Sequence, residues 1–196
     1  MVDRDQSIST AVPSLQKSIA RGALGFSLVS LCVFATVAFI ERWMFQTLGV
    51  LGSYLTWIAL FILLSGAVFG SLVVVRWRLP SFYILFALAF FSYAAAWMLA
   101  YFRLGRTTGE FIGSLVGSVL MAVVFAAGFR TLRSTPKVSA VLFVTNCLGY
   151  FLGAALFDYF RRPVGMLLFG VVYGLFFGAG IGAALQMVQR ESESKR

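Results

Sequence analysis

The chain contains no histidine, only two cysteines and four prolines, and seven acidic residues in 196. The missing histidine removes the commonest metal ligand and general base. No Cys/Asp/Glu cluster has metal-ligand spacing. A phosphate-binding glycine loop and a Gly-x-Ser-x-Gly nucleophile motif are both absent. A serine–lysine pair stays open, but Lys17, Lys137 and Lys195 all lie outside the apolar runs. The expectation is a protein that is not an enzyme and needs no cofactor or metal.

Charge is scarce as well. Charged residues make up 12% of the chain, against about 25% in a soluble domain. Hydrophobic residues make up 60% and aromatic ones 16%. The charges fall between apolar stretches, leaving Gly22 to Ile40, Trp43 to Val75, Leu79 to Phe102, Phe111 to Phe129, Val138 to Phe157 and Pro163 to Gln189 uncharged. Each reaches the roughly 18–20 residues that cross a bilayer core. The pattern predicts an all-α polytopic bundle of six transmembrane helices, over about 20–42, 48–75, 80–102, 110–129, 137–157 and 163–189. Residues 1–19 read as a polar N-terminal tail, 20–189 as the membrane domain and 190–196 as a solvated, frayed C-terminal tail. The charged lead-in is too long and the first run too extended for a cleaved signal peptide, so that run reads as an uncleaved helix.

The net charge of +9 does not mark a nucleic-acid binder, because the sixteen Lys and Arg are scattered without a basic run. Sorted by side, they give a topology. Eleven fall on the side of the two tails and the connections at Arg76–Arg78 and Arg130–Lys137. Five, namely Arg42, Arg103, Arg106, Arg161 and Arg162, fall on the other. Positive residues concentrate inside, so both termini are expected in the cytoplasm. A bacterial plasma membrane is the expected location. Trp43 and Trp77 sit where an aromatic belt would anchor the bundle. Cys32 and Cys147 fall at one mid-membrane depth, where they could lie side by side or serve as small packing residues.

Two patterns remain. Gly170, Gly174, Gly178 and Gly182 recur every four residues, so they mark one face of the last helix. Three such steps drift about 120° around a helix, which suits a right-handed crossing or two successive neighbours. Gly149 and Gly153, Gly113 and Gly117, and Gly66 and Gly70 repeat the spacing elsewhere. Ser114, Ser118, Ala122 and Ala126 form a similar face. These are expected to be helix-packing positions, with a hinge or backbone-lined path as the competing reading.

The second pattern is polarity in the half of the bundle away from the termini. Trp57, Tyr93, Trp97, Tyr150 and Tyr173, with Asn146 near mid-depth, form a possible solute pocket, and Ser53, Tyr54 and Thr56 lie in the same half. Glu41, Glu110 and Asp158, the only acids outside the tails, fall at its rim beside arginines. The plainer reading is interhelical hydrogen bonding, belt aromatics and rim ion pairs. Three functions follow. The first is a non-catalytic subunit or accessory protein, whose partners are the bilayer and other membrane subunits. The second is a small-solute transporter or substrate-binding subunit, of the vitamin-uptake kind, with a pocket in the outer half. The third is a lipid-modifying enzyme using the rim acids, and no paired acid–base spacing supports it.

Overall fold

The computed structural model describes residues 12–73 and 79–195, except for the side chains of Leu79 and Arg106. The inner turn around Arg76 and Arg78, the belt residue Trp77 and most of the N-terminal tail lie outside the described residues. Within them the chain is helical and no strand occurs. Five helices are long and apolar enough to cross a membrane. They are α1 (Leu15–Gly70), α2 (Leu79–Leu104), α3 (Arg106–Gly128), α4 (Thr135–Phe160) and α5 (Val164–Ser194). A 3₁₀ turn at Leu132–Ser134 joins α3 to α4.

The expected first and second helices fall in one element, so the structure has five helical elements where six were predicted. At 1.5 Å per residue, the 56 residues of α1 would reach roughly 84 Å if straight. They do not run straight, because Gly49 leaves helical geometry at φ 69° and ψ 175°. Phe26 and Phe69 would be roughly 65 Å apart in a continuous helix, yet their ring centroids are 5.8 Å apart. The Trp57 indole Nε1–H donates to Thr36 Oγ1 at 3.0 Å across the same fold-back. The arms 15–48 and 50–70 therefore pack against each other as a hairpin. The chain stays helical through Arg42 and Trp43 because a charge at a helix end does not break helical geometry; a left-handed residue does.

That turn is used three times. Gly105, between α2 and α3, has φ 83° and ψ 176°. Arg161, after α4, has φ 55° and ψ −172°. One residue with positive φ and extended ψ reverses the chain at each place, a conformation that is natural to glycine and strained for arginine. Residues flanking all three turns, including Glu41, Tyr54, Tyr101, Thr107, Asp158 and Met166, line one cavity. The three turns thus gather at one end of the bundle, here called the turn end.

The glycine ladder of α5 faces the first arm of α1 along its whole length. A Cβ at Gly170 would meet Phe34 and Ser30, at Gly174 Ser27 and Phe26, at Gly178 Gly22 and Phe26, and at Gly182 Ser18 and Gly22. One neighbour, and not two in succession, takes the stripe. At Gly178 the opposing residue is itself a glycine, and the two backbones touch. Gly149 and Gly153 of α4 meet Tyr173, Phe176 and Phe169 of α5. Gly113 and Gly117 of α3 meet Trp97 and Tyr93 of α2, and Gly66 meets Tyr83. Gly70 ends α1 half-buried. Ser114, Ser118, Ala122 and Ala126 are fully buried on α3.

The ends of the chain are also more helical than expected. Ser14 caps α1, its hydroxyl accepting from the Lys17 amide at 3.3 Å. The tail continues α5 to Ser194 instead of fraying at Gln189. There the Lys195 ammonium donates to Glu191 Oε1 at 2.8 Å, one helical turn away. This bond holds the Glu191 carboxyl below its ordinary range. Cys32 and Cys147 are free thiols and do not pair; Cys32 is exposed on the bundle's outer face.

Candidate functional site

Amphipathic aromatics at the turn end converge because they sit on the inward faces of several helices, within a few turns of a reversal. Val33, Phe34 and Glu41 come from the first arm of α1, and Tyr54, Trp57, Ile58 and Phe61 from the second. Phe90, Tyr93, Ala94, Trp97 and Tyr101 come from α2, Thr107 and Glu110 from α3, Tyr150, Ala154 and Asp158 from α4, and Met166, Phe169 and Tyr173 from α5. Together they enclose a cavity of about 680 Å³, within the size range of small-molecule sites.

Five of the six residues expected at a pocket, Trp57, Tyr93, Trp97, Tyr150 and Tyr173, line this cavity. The sixth, Asn146, does not. It is fully buried behind the wall, where Tyr93 Oη donates to its Oδ1 at 2.7 Å. Its amide nitrogen has no hydrogen-bond partner among the described residues. The Tyr93–Asn146 contact is an interhelical bond between α2 and α4, of the kind that the plainer reading of these polar residues expects. Ser53 and Thr56 are self-contained, donating to the Gly49 and Gly52 carbonyls at 2.8 Å each. Ser114 and Ser118 are buried away from the cavity lining.

The walls are built from rings in contact. Trp97 stacks on Tyr101 with centroids 5.1 Å apart and planes 11° from parallel. Tyr150 meets Trp97 at 5.7 Å and Phe169 edge-on at 5.5 Å. Tyr93, Phe177 and Tyr173 continue the ring contacts inward, at 5.0 and 5.5 Å. Such packed rings hold their positions without a ligand, so the cavity is largely pre-formed.

The rim acids do not all pair with arginine as expected. Arg162 Nη1 reaches Glu41 Oε2 at 2.6 Å and the Val37 carbonyl at 3.4 Å. This pair ties the third turn to the first hairpin, although exposed pairs contribute only about 0–1 kcal/mol. Glu110 and Asp158 make no ion pair among the described residues. Glu110 and Tyr150 line the same cavity, from α3 and α4. No group of three or more metal-binding side chains occurs among the described residues.

Sequence reasoning placed most of the aromatic lining by depth alone. It missed Phe34, Phe61, Phe90 and Phe169, which give no polar signal, and Met166, whose only sign was its distance from Pro163. The chain matches no protein-family model, no curated protein and no solved structure. The helices therefore define a class, that of multi-pass membrane proteins, and the site has to be read from its own chemistry.

Proposed function

We propose that this protein crosses the membrane six times, counting both arms of α1, and binds a small solute in the turn-end cavity. The observation that carries the reading is that cavity: about 680 Å³, with aromatic residues of every hairpin converging on it. A bundle optimised only for packing closes such space, because apolar interiors pack to crystal-like density. The excess of Lys and Arg on the terminal side supports a cytoplasmic position for the termini and an opposite one for the cavity mouth. The protein is proposed to be non-catalytic, since its sequence carries no histidine and no nucleophile or metal-ligand motif. A transporter or a substrate-binding subunit fits this reading. The bilayer is the surrounding partner, with other membrane subunits as candidates, and no feature calls for nucleic acid.

Ala94 is a half-buried residue of the cavity lining. Native mass spectrometry of the protein released directly from its own membrane should show a bound small molecule on the wild type. Ala94→Trp should lose that adduct while keeping its melting temperature within about 3 °C. A wild-type protein that emerges with a stable protein partner and an empty cavity would favour the accessory-subunit reading instead.

A further inference from the structure

The chain carries sixteen basic and seven acidic residues, yet the charges that line the cavity are all acidic. Glu41, Glu110 and Asp158 line it, and among the described residues no lysine or arginine does. Three of seven acids thus converge from three separate helices onto one opening in a strongly basic protein. One of them, Glu41, is matched by Arg162. The other two have no ion-pair partner among the described residues, so two of the three carboxylates lining the cavity are not neutralised by direct contact with a cation.

Behind this rim the wall is aromatic. The faces of Trp and Tyr attract cations through the ring quadrupole. The Trp97–Tyr101 stack, Tyr150 and Glu110 all line the cavity, which puts ring faces and a carboxylate around one volume. Further in, the lining becomes apolar, with Ile58, Phe61 and Phe90. We infer that the cavity takes an organic cation with an apolar or aromatic body, the charged end at the acidic rim and the body among the rings. The inference rests on the solute-binding reading and specifies its ligand class.

Three probes of one shape and different charge test it: 1-methyl-4-phenylpyridinium, neutral 4-phenylpyridine at pH 8 and 4-phenylbenzoate. Binding would be measured by calorimetry on the full chain in nanodiscs of zwitterionic lipid, which removes attraction to anionic lipid. The cation should bind about tenfold more tightly than the neutral probe, and the anion weakest. Glu110→Gln and Asp158→Asn should each weaken the cation about three- to tenfold and leave the neutral probe unchanged. Arg162→Ala, which frees the Glu41 carboxylate, should strengthen the cation, a gain that misfolding cannot imitate. Equal binding of cation and neutral probe, both abolished by Ala94→Trp, would overturn the charge assignment and leave the pocket reading standing. Preference for the anion, or no binding of the cation, would overturn the inference too. The solute-binding reading fails separately, if the native-membrane adduct is absent.

Discussion

Replacing Gly178 by leucine is expected to unfold the bundle. The Gly178 and Gly22 backbones are in contact, so no rotamer of a larger side chain fits without driving α5 away from α1. Overpacking in ordinary cores costs about 1–3 kcal/mol because side chains yield. Here backbone opposes backbone on both sides of the contact, and the loss should exceed about 4 kcal/mol, the range reserved for severe damage. Titration with SDS from a mild detergent would show the transition shifted to a small fraction of the wild-type concentration. Gly22→Leu should do the same. The double variant should be little worse than either single one, since both open one seam. Val164→Leu, at an exposed position of the same helix, should be neutral. A Gly178→Leu protein of normal stability but lost activity would make the ladder a hinge or path and not a seam.

The second large effect is expected at the turns. A Cβ at Gly49 or Gly105 meets nothing within 4 Å, so alanine there tests backbone conformation alone. With φ at 69° and 83°, each Gly→Ala should cost about 1–3 kcal/mol, and the double variant roughly the sum, because the sites lie in separate hairpins. Arg161 holds the same conformation as an L residue with φ 55°. Arg161→Gly should therefore stabilise by about 1 kcal/mol, opposite in sign. Melting temperatures of the four variants in one detergent would check both directions.

These two cases show what was and was not legible in the sequence. The spans were legible because charge is excluded from lipid, so the gaps between charges gave helix positions to within several residues. The first turn was not. Gly49 looks like any other of the nineteen glycines, since sequence reports permission for positive φ but not its use. The α5 ladder was visible as a face because it repeats, whereas its partner Gly22 is a single residue without periodicity. The aromatic site was legible through depth: Trp57, Tyr93, Trp97, Tyr150 and Tyr173 all fall near the turn end once the topology is drawn. Asn146 sits at a similar depth and points behind the wall, because depth fixes height in the bundle but not the direction of a side chain around its helix. The pairing of Arg162 with Glu41, and the absence of ion-pair partners for Glu110 and Asp158 among the described residues, likewise depend on three-dimensional neighbours that spacing does not encode.

The central claim is an aqueous-accessible cavity that opens at the turn end, on the side of the membrane away from the termini. It is tested most directly by thiol accessibility in intact cells, on a chain carrying Cys32→Ala and Cys147→Ala. Ala154→Cys lies in the cavity wall. Ala179→Cys, in α5 beyond the cavity lining, lies toward the terminal end. A membrane-impermeant cationic thiosulfonate added outside should modify the first and spare the second. Modification of Ala154→Cys only after the cells are permeabilised, or not at all, would contradict the account.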